Sequence, residues 1–446
     1  MQEREIIRIM KKRMKNIKHC SVIIALFFGA TIYADTVDCD VVVVGGGTAG
    51  VVATIQSGRC GAKTILIEAG SQLGGNATVG GVNSPELFSL WGKQRIAGIG
   101  WEWCTKTAEL DDKQLPGSRQ HFRINPAMFA CIAEEICLEA GTELRYFEAP
   151  MTVAKSDSKD AAYNWVLTTA AMGETRTIRC KELVDCTGNG TLCALAGAER
   201  MREKEIMAGS FNYTIKHEVD RKKLGKDELQ KRYEEALKDG RLKEGDARHG
   251  IESSMHYQAG NYVYDADNST AALRTQTNIR GRQSALRMLR FIRSLPGGET
   301  ATITTMFPEV GVRETWRVKG EYVVTVDDYL SGKVWDDSIS YACYQIDMHK
   351  PKWEDFVRIH LKEGVLPTVP LRALIPLGVD HLMVAGRCIS SDRLAMSALR
   401  VQATCMATGQ AAGAAAALAA KNNLTPKKLD VAEVKSVLKK HGAIIP

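Results

Sequence analysis

The run Val41-Val-Val-Val-Gly-Gly-Gly-Thr-Ala-Gly50 constrains this chain more than any other feature. Four consecutive β-branched residues suit a strand covered on both faces, as the strands of parallel sheets are. They lead straight into Gly45, Gly47 and Gly50, the spacing of a sharp turn into a helix whose N-terminal amides can hold a pyrophosphate. Thr48 and Ala49, inside that turn, are candidate contacts. The expected fold class is α/β, with a Rossmann-type nucleotide-binding domain.

Glycine spacing alone is a weak signal, so the rest of the unit has to arrive on schedule. Ala53 keeps the helix face small for close packing, and Thr64-Ile-Leu-Ile-Glu68 supplies a second strand ending in an acid. Glu68 follows Gly47 by 21 residues, where a carboxylate accepts hydrogen bonds from adenosine ribose hydroxyls and disfavours a 2′-phosphate. Ala69 and Gly70 come next, and then the second glycine pair Gly74-Gly75-Asn76, placed for the ribityl and diphosphate side of an extended FAD. Flavin outweighs nicotinamide on that ground.

Two more strands carry turns of the same kind. Leu183-Val-Asp185 breaks at Thr187-Gly188, and His381-Leu-Met-Val-Ala385 ends at Gly386-Arg387, where Arg387 is placed to touch flavin. Ser397 to Ala419 reads as one long alanine-rich helix with its N-terminus toward the flavin. No second glycine fingerprint follows, so electrons are expected from the substrate or from an external donor or acceptor rather than from a dedicated NAD(P)H domain.

Together with Val310-Gly-Val-Arg-Glu-Thr315 and Gly409-Gln-Ala-Ala-Gly413, these segments resemble the FAD-dependent oxidoreductase family. That family includes bacterial proteins labelled xanthan lyase-like and is related to flavoproteins of the fumarate reductase and glutathione reductase type. The resemblance runs from Val41 to Leu418. It implies an FAD cofactor, an FAD-binding domain interrupted by an α+β substrate domain, and backbone near Val153 lying against adenine. The chain departs from the pattern at Asn189 and near Thr191, where aspartates are expected, and at Pro367 to Val369, where an aromatic residue is expected. The first two lie on the flavin-facing turn, where losing a carboxylate changes its hydrogen bonds, and the third lies near the expected substrate mouth, so substrate choice is the least transferable inference.

The motif spacing divides the chain into residues 1–34 as a signal peptide, 35–205 and 366–446 as the two parts of the FAD-binding domain, and 206–365 as the substrate domain. Lys11-Lys-Arg-Met-Lys15 and Lys18 precede an uncharged run from Cys20 to Ala34, which is short for a membrane span and ends at a plausible cleavage point. A periplasmic or secreted location follows, with membrane attachment only if the segment stays uncleaved. Removing residues 1–34 takes the formal charge from +7 to +2, which leaves no electrostatic case for nucleic acid. Eleven cysteines remain beyond Cys20 without a Cys-x-x-Cys pair, and buried thiols are the expected state. No metal site is expected.

The reaction then needs a proton carrier and positive charge near the flavin. His349, in Asp347-Met-His349, titrates near neutrality and is the first candidate to take a hydroxyl proton; a structural histidine is the alternative. Arg313 and Glu314, with Arg317, form the second cluster. There the arginine either clamps a substrate carboxylate or polyol, or Glu314 is its structural ion-pair partner. Arg372 and Arg400 are further candidates. The arginines at 287, 290 and 293, on a helix expected from about Arg282 to Leu295, are read as a solvated face. The expected activity is two-electron oxidation or reduction of a small hydroxylated or unsaturated, possibly sugar-derived, substrate. A polysaccharide lyase-like protein and a non-catalytic flavin-binding module are the alternatives.

Overall fold

A computed structural model describes residues 36–115, 121–157, 162–349 and 356–446. The segment read as an export signal lies outside the described residues. The chain opens with β1 (Thr36–Val44), α1 (Thr48–Arg59) and β2 (Thr64–Glu68), followed by α2 (Pro126–Glu139) and β3 (Glu143–Tyr146). A hairpin pair, β4 (Glu148–Lys155) and β5 (Trp165–Ala171), leads into the twelve-residue β6 (Glu174–Asp185).

These strands form one sheet in the order β3-β2-β1-β6-β5-β4, and a late strand, Leu382–Val384, pairs with the free side of β6. Its heart is parallel, with Val41 opposite Thr64 and Val44 opposite Asp185. Val41, Val42 and Val43 are wholly buried, which accounts for the unbroken apolar run. The sequence shows only the last residues of β6 as a strand. Its outer half is covered on one face alone and therefore alternates, Thr177, Ile178, Arg179, Cys180, with the even positions buried.

A second core lies in the excursion between the two parts of that sheet. It is built on a three-stranded antiparallel sheet of β7 (Gly209–Lys216), β8 (Gln258–Val263) and β9 (Thr302–Met306). Helices α3 (Lys226–Lys238) and α4 (Ala271–Arg293) cover it, burying Phe211, Tyr213, Leu229, Met288 and Phe291. Later residues such as Val324, Tyr329, Ile339 and Ile346 join the first core instead. Helix α4 starts eleven residues before its sequence signal, because its first turns are exposed and lack an apolar stripe, and Thr270 caps it through the Leu273 amide. Arg287 on that helix is bound in a fork to Asp246, and Arg293 donates to the Ala301 carbonyl. The expected basic stripe is thus two structural contacts and one exposed side chain, Arg290.

The alanine-rich segment is two helices rather than one. Helix α5 (Arg393–Leu399) is capped by the Asp392 side chain, and α6 (Gln402–Asn422) restarts after Val401, whose backbone is extended at φ −68 and ψ 150. Alanine and leucine content predicts helix but says nothing about direction. The turn is set by what Arg400 reaches across the fold.

Candidate active site

Three glycine turns converge at the N-terminus of α1. Gly74 donates its amide to the Gly46 carbonyl at 2.8 Å, so the loop after β2 lies directly on the first turn. A side chain at Gly50 would fall 1.8 Å from the Gly45 carbonyl oxygen, and one at Gly45 would meet the Cys186 and Thr187 backbone. At Gly47, by contrast, an added Cβ meets nothing within 4 Å. Glycine there leaves room above helix amides that no side chain caps. Such a space suits a diphosphate.

Glu68 accepts the amides of Gly46 and Gly70, each at 2.6 Å. A carboxylate has acceptor positions beyond those two, so ribose hydroxyls still fit at this edge. Ala69 stands exposed beside it. The chain leaving β3 touches this turn at Phe147, which donates to the Gly70 carbonyl at 3.2 Å. Val153 lies six residues further along β4, roughly 20 Å away at strand rise, paired with Leu167 and packed with the core under the hairpin. The structure does not bring Val153 to the Glu68 turn; the residue of this segment that touches it is Phe147.

Asp185, at the end of β6, organises the third turn by accepting the Thr187 hydroxyl and amide and the Cys193 amide. The Thr187 oxygen in turn accepts from the amides of Asn189 and Thr191, so its role is to hold the loop. Gly188 and Gly386 adopt positive φ, 69 and 83 degrees. Arg387 donates to Gly188 O, Val312 O and Asn189 Oδ1, and Asn76 donates to the same Val312 carbonyl at 2.8 Å. These two residues fasten the strand-end loops to the segment that carries Arg313. Asn189, where an aspartate was expected, accepts from Thr315 and Arg387 through one oxygen.

Beyond Val312 lies a polar cluster shared by the second core and the break before α6. His349 Nε2 stands 2.8 Å from Asp347 Oδ2, and its Nδ1 stands 3.4 Å from the Tyr262 hydroxyl. Arg400, in the break, donates to both the backbone and side-chain oxygens of Asp347. Burial pulls the His349 pKa down to about 4, with help from the Arg313 and Arg400 guanidiniums and against the Asp347 hydrogen bond. Asp347 is held at about 2, its hydrogen bond to His349 and the Arg400 charge outweighing its burial. The carboxylate is therefore ionised and must receive the Nε2 proton, which leaves Nδ1 as a free base.

Arg313 reaches Ala208 O and Ser210 Oγ, with Arg248 on the same hydroxyl at 3.1 Å. Glu314 points elsewhere. It is 2% exposed, bound in a fork to Arg393, and accepts the Met207 amide, while Arg317 is bound to Glu203. Glu314 is a structural ion-pair partner, of Arg393 rather than of its sequence neighbours, and has no free oxygen positioned for chemistry. Arg372 is paired with Asp337. Tyr262, Arg248 and His249 were missed by the sequence reading, because each sits in an ordinary strand or loop pattern and gains meaning only in the cluster around the Tyr262 ring, which meets His349, Arg248 and His249.

Fold and site together define a nucleotide-binding protein of the Rossmann type with a second core. The family profile described as FAD dependent oxidoreductase matches residues 40–438. The chain belongs to that family, is an FAD-dependent oxidoreductase, and uses FAD. Nothing among curated proteins matches it. Among solved structures it is similar to a geranylgeranyl bacteriochlorophyll reductase-like protein from Thermoplasma acidophilum, at 13% identity over 91% of this chain and 83% of that one, with a TM-score of 0.43. It is also similar to p-nitrophenol 4-monooxygenase from Pseudomonas putida, at 9% identity over 91% and 85%, TM-score 0.42. A third is anhydrotetracycline hydroxylase from Streptomyces rimosus, at 11% identity over 91% and 66%, TM-score 0.42. Likeness at this level carries no argument about activity, and the assignment rests on the family match.

Proposed function

We propose that this flavoprotein is exported and carries out two-electron oxidation or reduction of a small hydroxylated or unsaturated compound, with His349 moving the proton. The observation that carries the reading is the Asp347–His349–Tyr262 array: a largely buried imidazole, held in one tautomer, with an unprotonated nitrogen facing out of the ion pair. Bound FAD supplies the two-electron acceptor or donor. In the oxidising direction Nδ1 takes the hydroxyl proton as the substrate carbon gives up hydride. Asp347 fixes the ring and tautomer, and Arg400 fixes Asp347; both are positioning residues. With one glycine fingerprint in the chain, the second half of the cycle falls to an external electron acceptor or donor.

Export is supported by the basic stretch before Cys20 and the uncharged run ending at Ala34. N-terminal sequencing of the protein from the extracytoplasmic fraction should begin just after Ala34; a chain retaining residues 1–34 removes this part. The redox reading is tested by anaerobic addition of hydroxylated and unsaturated metabolites to the FAD-loaded protein. Bleaching of the flavin band by one of them, abolished in His349→Ala with flavin still bound, is the expected result. A substrate whose turnover survives that substitution would exclude His349.

A further inference from the structure

The geometry points to a carboxylate-binding subsite formed by Arg248, Arg313 and Ser210, so that the substrate of the proposed reaction is a small organic acid bearing its reactive carbon near that group. The inference rests on the redox reading of the His349 site and names what it acts on. Arg313 and Arg248 converge on one hydroxyl, Ser210 Oγ, at 3.0 and 3.1 Å. Two guanidiniums drawn together on a neutral oxygen repel one another, and among the described residues neither lies within 4.0 Å of a carboxylate. Three neighbouring arginines each have an acid, Arg317 with Glu203, Arg393 with Glu314 and Arg400 with Asp347, whereas Arg387 is held by neutral oxygens of the strand-end loops.

The charge surrounding the site makes the same point. Among the described residues Asp347 is the carboxylate beside His349, and Arg400 and Arg358 already lie against it. His249 and His349 add no further positive charge, since both are held below the usual histidine range by burial and the nearby guanidiniums. Arg313 is itself pulled down to about 9, by its burial and by Arg248 and Arg400. An arriving carboxylate relieves that repulsion, and its two oxygens match a guanidinium fork, for which each arginine has N–H donors to spare. Arg400 Nε is a further buried donor with no partner among the described residues. Tyr262 lies under both guanidiniums, 5.3 and 5.7 Å from ring centre to Arg248 and Arg313. The same ring, with His249, Tyr233, Tyr264 and Glu244, lines a cleft of about 430 Å³ that can take the rest of the molecule, away from its carboxylate.

The test uses the FAD-loaded enzyme and malonate as a probe, followed by pairs of hydroxy acids and their primary amides. Malonate should perturb the visible flavin spectrum with millimolar affinity in the native protein and fail to do so in Arg313→Met and in Arg248→Met, each checked for retained flavin. Inorganic phosphate should act more weakly than malonate. Among substrates that bleach the flavin, acids should exceed their amides in kcat/KM by on the order of 100-fold, mostly through KM, and Arg313→Met should erase the difference. Amides bleaching the flavin as well as their acids, with no response to malonate, would overturn the carboxylate subsite while leaving the redox reading intact. Acids that bind and perturb the spectrum but never bleach it would overturn the redox reading and leave the subsite standing.

Discussion

His349 is the residue on which the proposed reaction turns, and its environment predicts its pH behaviour. Its pKa lies below the ordinary 6.5, at about 4, so the fold prefers it neutral. A base of this kind is available at neutral pH, and kcat/KM should fall as the pH drops through about 4, measured with the flavin-loaded enzyme and a bleaching substrate. The stability sign agrees. The unfolded chain binds the proton more tightly, so the contribution of this site is full above pH 6.5 and is lost as the pH falls toward 4, which a series of thermal melts would show. Asp347, also held low, adds to the loss in the same direction at still lower pH. Asp347→Asn should lower kcat more than KM, because it releases the tautomer without removing the base. At this scale the sequence named the Asp347-Met-His349 pair. Spacing alone left open whether the histidine was structural, since Tyr262, 87 residues away, is what its second nitrogen faces.

At the scale of elements, the glycines of the nucleotide turn divide into two kinds that mutation should separate. Gly409 and Gly413 lie on α6 where an added Cβ would come 2.2 Å from the carbonyl oxygens of Ala49 and Ala53, so the helices meet backbone to backbone. Gly413→Ala should cost about 1–3 kcal/mol and lower the Tm with or without flavin. Gly47→Ala meets no such obstacle, and its φ of −68 degrees is ordinary for any residue. That variant should melt like the native apoprotein yet bind FAD more weakly in a reconstitution titration. The apolar strands and the glycine-to-acid spacing were legible from periodicity because each depends on neighbours in sequence. The break at Arg400-Val401 was not, because it is set by Asp347 and by the contacts of Gln402 with Val82 and of Ala403 with Glu86.

Across the whole molecule, the nucleotide turns come from four separated stretches, near residues 45–50, 68–76, 185–190 and 386–387, and Arg387 and Asn76 tie them to the segment leading to Arg313. FAD binding is accordingly linked to folding of the assembled protein rather than of one loop. At 100 times its Kd, the cofactor should add about 2.7 kcal/mol, and stripping it should lower the Tm reversibly. Glu314→Gln, which leaves Arg393 buried without its partner, should cost about 3–5 kcal/mol without acting on the reacting groups. Its turnover per bound flavin should stay native.

By itself the sequence determined the cofactor and the class of fold. A parallel strand buried on both faces, a turn closed by glycines at 45 and 50 and an acid one strand later are requirements each written in adjacent residues. Tertiary structure alone decided which charges are spent and which are free. Glu314 went to Arg393, Arg287 to Asp246 and Arg372 to Asp337, while Arg248 and Arg313 were left facing each other across Ser210. Ion pairing depends on distances between segments far apart in the chain, and no periodicity in the sequence encodes those distances.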